Sequence, residues 1–496
     1  MGSAGHRVFV SALLLGVASC ERPPPNPPAQ RYVELTVGSR AVDIVAVVDT
    51  SYSPIEQRVF VPGYAELFRA MRSPLFGGAG CSPSALDKCR GPDVRFGMIT
   101  MSAGAPYSPQ PQCQGDGDGG RIWSVANRPG CTPFTGRWLE YRGGLVNVPA
   151  SSNDPMEAIA SAIDCTAPPV PGSCELEQPL LAARLALDPA HNANPGFLRP
   201  ESLLLIGIVT DEDDCSLSRP ELFDPSPSRV SELGPCTDFR CSEYGIICDE
   251  AMREPGVKHN CRPRDGWLAP IAESQAFFRK LKGDRVLLSV IAGPAAPIEV
   301  VEQGDEFFVK ATCHSLEGLS SPAVRLKAAV EGYGARGLFN PGQSDACASE
   351  MASAFAAVAS RVLLFLETQC IEGAPVTESG ALVCAGPDKH CSRSCLDMAE
   401  CSVEEVLPAG AHQTVARCGE SDFDPAVTRC TDRCPCWRLV AAPGPCTSQG
   451  AQSPLAIQVL RSNGILADSG AYARARCSVS ALSWTGARDS DLPRCR

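Results

Sequence analysis

A chain of 496 residues, 44 % hydrophobic and 20 % charged, has ample material for a buried core, and its length fits about two to three domains. A formal net charge of −12 argues against nucleic acid as the main partner. The 26 cysteines argue against the cytosol, where so many thiols would need metal clusters or redox motifs to account for them.

Residues 1–19 read as an export signal. A short basic start reaches Arg7, and the apolar run 8–18 is too short to span a bilayer. It ends in Val17-Ala18-Ser19-Cys20, small residues directly before a cysteine, with no Ala-x-Ala site beside it. This resembles the bacterial lipobox, in which Cys20 is lipidated and becomes the mature N-terminus. The alternative is an ordinary cleaved signal with an incidental cysteine. Residues 20–38 carry Pro23-Pro24-Pro25-Asn26-Pro27-Pro28 and read as an extended, semi-rigid tether.

Residues 39–370 alternate strands and helices. The run 42–48 is β-branched and almost continuously apolar, as in a strand buried on both faces of a parallel sheet. A helix follows over 54–71, with Ser53 as its cap and Pro54 at the first helical position. Strands are expected at 94–101, 202–210 and 285–292, and helices at 156–164, 176–187, 267–281 and 346–367. The alternation implies an α/β domain with a doubly wound, mostly parallel sheet and functional loops at the carboxyl ends of its strands. Insertions at 102–150 and 212–266 are rich in Gly, Pro and Cys, and loops of that length need staples. A short-range pair such as Cys165 with Cys174 is expected, although sequence does not fix connectivity. Residues 371–496 change character, with dense cysteines and short alternating segments at 456–460 and 472–477, and read as a small disulfide-rich β module. Once Cys20 is set aside the remaining cysteine count is odd, so at least one is unpaired or pairs with another chain.

Asp49-Thr50-Ser51-Tyr52-Ser53 falls where a strand ends and a helix begins. One carboxylate and two hydroxyls there can converge on a hard cation, Mg²⁺ or Ca²⁺, and leave room for an acidic group from a partner. Without an ion the same residues read as a capped helix start. Asp214-Cys215-Ser216-Leu217-Ser218 fits the same pattern but lies past its strand, so context selects the first copy. In Thr210-Asp211-Glu212-Asp213-Asp214, Asp211 directly follows its strand and suits a metal role, while Glu212, Asp213 and Asp214 read as a solvated acidic turn.

Residues 44–53 resemble the opening of a von Willebrand factor A (VWFA) domain with its metal-ion-dependent adhesion site, and Thr210-Asp211 resembles the family's later Thr-Asp. The chain is also similar to cysteine-rich lipoproteins of that family from myxobacteria. Gly117-Asp118-Gly119-Gly120-Arg121, Glu177-Gln178-Pro179-Leu180, Asn194-Pro195-Gly196-Phe197-Leu198-Arg199, the Thr210 to Cys215 segment and Pro435-Cys436-Trp437-Arg438-Leu439 carry that similarity. The resemblance implies a Rossmann-like A domain in which Asp49, Ser51 and Ser53 bind the ion and Asp211 supports it directly or through water. It also implies a middle-loop threonine, for which Ser173 is the nearest match, and Tyr52 stands where the family often has glycine. The function implied is binding or adhesion by a lipid-anchored protein of the bacterial envelope, at the outer membrane, toward a protein or cell-surface ligand. The alternatives are a metal-free envelope scaffold and an extracytoplasmic enzyme.

The enzyme case has little support. The sequence holds no Gly-x-Ser-x-Gly elbow, His-Glu-x-x-His or phosphate loop, and the histidines outside the signal are not grouped by spacing. Gln114-Gly115-Asp116-Gly117-Asp118-Gly119-Gly120 faintly resembles a calcium loop but lacks a third acid and a bidentate Glu, so a flexible turn is the expectation. Cys391 with Cys395, and Cys430 with Cys434 and Cys436, have spacings zinc could use, although outside the cytosol disulfides are the better reading.

Overall fold

A computed structural model describes residues 30–50, 61–123, 131, 134–149, 152–166, 174, 176–314, 319–341, 351–379, 381–383, 393–424, 428–451 and 453–480. The signal segment, Cys20, Ser51, Tyr52, Ser53, Ser173 and Cys391 lie outside the described residues.

In chain order, the framework starts with strand β1 (Gln30–Val37), β2 (Ala41–Val48), helix α1 (Val61–Ala70) and β3 (Asp93–Thr100). A hairpin of β4 (Leu139–Arg142) and β5 (Leu145–Val146) precedes α2 (Pro155–Ala162), α3 (Pro179–Leu187) and β6 (Leu203–Val209). Then come α4 (Ile271–Lys282), β7 (Val286–Ala292), α5 (Val324–Glu331), β8 (Gly337–Pro341) and α6 (Met351–Glu367). The C-terminal part contributes β9 (Cys401–Val406), β10 (Cys436–Ala441), β11 (Leu455–Leu460) and β12 (Tyr472–Ser480).

The largest sheet has seven strands in the order β8-β7-β6-β2-β3-β4-β5. Neighbours from β8 to β3 are parallel, and β4 and β5 join antiparallel at one edge. Every residue of β2, β6 and β7 is buried, which is why their sequences run apolar without alternation. On one face α1, α2 and α6 pack around Phe68, Phe96 and Phe355, and the Tyr64 hydroxyl donates to the Gly207 carbonyl at 2.8 Å. On the other, α3, α4 and α5 supply Leu180, Phe278 and Leu326.

The chain is thus mixed α/β with several sheets, and antiparallel pairs are commoner than a mostly parallel reading implies. The β4–β5 hairpin closes through Gly143-Gly144, both at positive φ, and a link that short joins only antiparallel strands. Residues 30–37, expected within the tether, form a strand instead. β1 pairs antiparallel with β12 along its whole length, from Gln30 opposite Ser480 to Val37 opposite Ala473. Its alternation explains this: Val33, Leu35 and Val37 face the C-terminal core while Tyr32 and Glu34 are exposed.

Helix 267–281 starts late, at Ile271, because Pro270 stands just before it and disfavours helical backbone at Ala269. α5 and β8 carry no strong local signal. The first turn of α5 is capped by Asp213, 112 residues away, rather than by a neighbour.

Nine disulfides lie among the described residues. Cys165 does not pair with Cys174: Cys165 joins Cys131 and Cys174 joins Cys113, so each staples the 102–150 insertion to the segment after it. Cys401 and Cys477 face each other across β9 and β12 and are bonded. Cys430 pairs with Cys434, Cys418 with Cys436, and Cys395 is also disulfide-bonded. Cys236 is the free cysteine among the described residues.

Candidate metal centre

Parallel pairing of β2 and β6 sets Val48 beside Val209, so the residues after them emerge together. The Asp49 amide donates to the Val209 carbonyl at 3.2 Å, and the Thr210 hydroxyl donates to Asp49 Oδ2 at 3.0 Å. That hydroxyl also accepts from the Glu212 amide at 3.0 Å. Asp49 and Thr210 are buried, while Asp211 is half-buried and Glu212 exposed. The structure therefore brings Asp49 and Asp211 to one edge, as the sequence implies. Ser51, Ser53 and Ser173 lie outside the described residues.

A fourth carboxylate was not anticipated. Glu177, in the loop before α3, is only 3 % exposed. Burial raises its pKa well above the usual carboxylate range, and the charges of Glu212, Asp49 and Asp211 and a hydrogen bond with Glu212 push the same way. Its backbone is pinned, because the Cys215 amide donates to its carbonyl at 2.8 Å. Next to it, Gln178 is fully buried, donates to the Gly104 carbonyl at 2.8 Å and accepts from the Leu217 amide at 3.1 Å. The available signal was a glutamate two residues before Pro179 at the first helical position, within one of the segments that carry the family resemblance.

The side chains of Asp49, Glu177, Asp211 and Glu212 supply hard oxygen donors of the kind Mg²⁺ and Ca²⁺ accept. Among the described residues, no three His, Cys, Asp or Glu side chains already stand at metal-ligand spacing. The donor chemistry fits a divalent ion, and the groups that weigh most on Glu177 are its burial and other carboxylates rather than any base.

The rest of the acidic run is not the solvated turn expected of it. Asp213 accepts from the Arg325 and Leu326 amides at 2.9 and 3.0 Å and so caps α5, and burial raises its pKa to about 6. Asp214 is buried against Arg325, with Oδ2 3.1 Å from Nη2. Its other oxygen accepts from the Leu180 amide at 3.2 Å and the Ser216 hydroxyl at 2.5 Å. Of the three acids, Glu212 alone matches the expectation of exposure.

Other segments singled out in the sequence are framework. Asp118 accepts from the Thr100 hydroxyl at 2.5 Å, and Asn194 ties the Gly120 carbonyl, the Ile122 amide and the Ala186 carbonyl together. The end of the 114–120 loop is therefore tied to the framework at Asp118 and Gly120. At Gly120 a Cβ would lie 2.3 Å from the Ala186 nitrogen, so only glycine fits. Arg199 is buried against Asp43 at 2.7 Å and reaches the Val42 and Asp93 carbonyls, at the opposite end of β2 from Asp49.

No protein-family model matches the sequence, and no curated protein does. Similarity to solved structures is weak. Proximal thread matrix protein 1 from the mussel byssus is 12 % identical with a TM-score of 0.30, over 69 % of this chain and 52 % of its own. The pilus adhesin SpaC from Lactobacillus rhamnosus GG is 10 % identical with a TM-score of 0.27, over 92 % of this chain and 42 % of its own. A von Willebrand factor type A protein from Catenulispora acidiphila is 9 % identical with a TM-score of 0.27, over 92 % of this chain and 66 % of its own. The chain thus spans about half the length of the first two.

Proposed function

We propose that this chain is an extracytoplasmic binding protein of the adhesion type, built on a doubly wound A-like domain, that holds Mg²⁺ or Ca²⁺ at the carboxyl ends of β2 and β6. The observation that carries the reading is Glu177, a buried carboxylate set among Asp49, Asp211 and Glu212. Like charges gathered around a buried carboxylate repel it, and a divalent ion removes that cost. Asp49 and Asp211 would hold the ion, with Ser51 and Ser53 beside Asp49, and Glu177 would stand in the role the resemblance assigns to Ser173. When bound, the ion supplies a positive centre that links β2, β6 and the loop before α3. Four carboxylates around one divalent ion leave a net negative charge. Contact is therefore biased toward neutral or basic groups of a partner rather than the acidic group that a two-hydroxyl site would admit.

We further infer that Cys20 is acylated and tethers the folded part to a membrane of the bacterial envelope. The apolar run ending in small residues before Cys20 supports this. Nine disulfides among the described residues fit an oxidising compartment outside the cytosol. Among the described residues no helix is long and apolar enough to cross a membrane.

One observation favours a second reading, a metal-free scaffold. The hydrogen bond between Glu177 and Glu212 needs a shared proton, and a proton can relieve the repulsion as a cation would. Beads coated with the mature chain and tested for adherence to the native envelope separate the two. Adherence lost with chelator and restored by Mg²⁺ supports the ion reading, and chelator-resistant adherence supports the scaffold.

A further inference from the structure

The run Glu212 to Asp214 also forms one wall of a cavity of about 250 Å³ that opens beside the carboxylate cluster. The helix Phe239–Gly245 and the strand Glu306–Val309 also line it, through Phe239, Phe307 and the exposed Phe308. The Phe239 and Phe307 rings lie 5.8 Å apart with a 31° tilt. The walls are fixed to each other, because Cys215 is bonded to Cys241.

The charges around this cavity are lopsided. Arg325, the basic residue on its wall, is 1 % exposed and is held by Asp214 and by the Ala269 carbonyl. Asp213 is committed to the first turn of α5. Glu212 and Asp238, both exposed, also line it and add negative charge whatever their own hydrogen bonds. Aromatic rings and carboxylates that line one cavity can together attract a cation, through the ring quadrupole and the negative charge. The volume is below the range of about 300–1,000 Å³ typical of small-molecule sites. It suits a single side chain.

We propose that this cavity is a subsite for an arginine or lysine side chain of a partner protein. The subsite goes beyond the ion reading and shares only Glu212 with it; Asp238, Phe239 and Phe307 lie outside the carboxylate cluster, and the test is run without a metal.

The test uses an acetylated, amidated Gly-Arg-Gly peptide, its Gly-Lys-Gly counterpart and the isosteric, uncharged citrulline peptide. Each is titrated by calorimetry at millimolar concentration into the full mature chain, with chelator present throughout, so that failure of the ion reading cannot move the result. Arg and Lys peptides should bind about tenfold more tightly than citrulline, the scale of a partly desolvated cation–π contact plus a charge pair. Asp238→Asn and Phe239→Leu should each weaken the Arg peptide by about two- to tenfold. Both are conservative changes at side chains that are not fully buried, so the fold should survive, and circular dichroism checks it. Equal binding of the citrulline peptide, no binding to the wild type, or affinity unchanged in both variants would overturn the proposal.

Discussion

Asp214→Ala should destabilise the fold by about 3–5 kcal/mol, the cost of removing one partner from a buried ion pair. Asp214 and Arg325 are both buried, and their charged atoms are 3.1 Å apart. Truncation leaves the guanidinium facing carbonyls alone and takes the acceptor from the Leu180 amide, which adds the cost of an orphaned donor and moves the loss toward the upper figure. Arg325→Met should also destabilise, by stranding Asp214. The double variant should cost less than the sum of the two by about 2 kcal/mol or more, because no buried charge is then left unpaired. Urea unfolding followed by helical circular dichroism measures each cost, provided the slope against urea is unchanged. Alanine at Asp211 should be neutral or stabilising in chelator, since the deletion relieves repulsion on Glu177. A cost for Asp214→Ala within about 0.5 kcal/mol, as for a surface change, would refute the reasoning, and so would an additive cycle.

Two further outcomes follow. The Glu177 pKa is raised above its ordinary 4.5 in the fold, so the stability it contributes is fully present below pH 4.5 and is lost as pH rises through the folded value. In chelator, the melting temperature should therefore fall as pH rises from 4.5, Glu177→Gln should flatten that slope, and an unchanged slope in the variant would assign it to other groups. Cys20→Ser should abolish lipid labelling and release the protein from the membrane fraction. Membrane retention of the variant, with no labelled lipid on the wild type, would end the lipoprotein account.

The central strands were legible because a strand buried on both faces favours a nearly continuous apolar run, and β2, β6 and β7 carry one that only Asp43 and Ser289 interrupt with a polar side chain. Asp49 and Asp211 were legible because they stand at the carboxyl ends of two such strands, one residue past β2 and two past β6. Glu177 was not, since its role arises only when the loop before α3 folds over the strand ends. Asp214 was misread because the partner that buries it, Arg325, is 111 residues away. β1 was absorbed into the proline-rich segment, although its alternation of Val33, Leu35 and Val37 was present. The cysteine pairs were beyond reach for a related reason: Cys113 and Cys174 are 61 positions apart, with β4, β5 and α2 between them.

The most direct test is whether the folded chain binds a divalent ion at the carboxyl ends of β2 and β6. An ion that binds only the folded state raises its stability, by about 2.7 kcal/mol at a hundred times the dissociation constant. Millimolar Mg²⁺ or Ca²⁺ should therefore raise the melting temperature of the mature wild-type chain over the value in chelator. Asp49→Ala, which sits past the end of β2 rather than within it, should keep the fold and lose most of that increment. No ion-dependent shift in the wild type, or an equal shift in Asp49→Ala, would contradict the account and leave the metal-free scaffold.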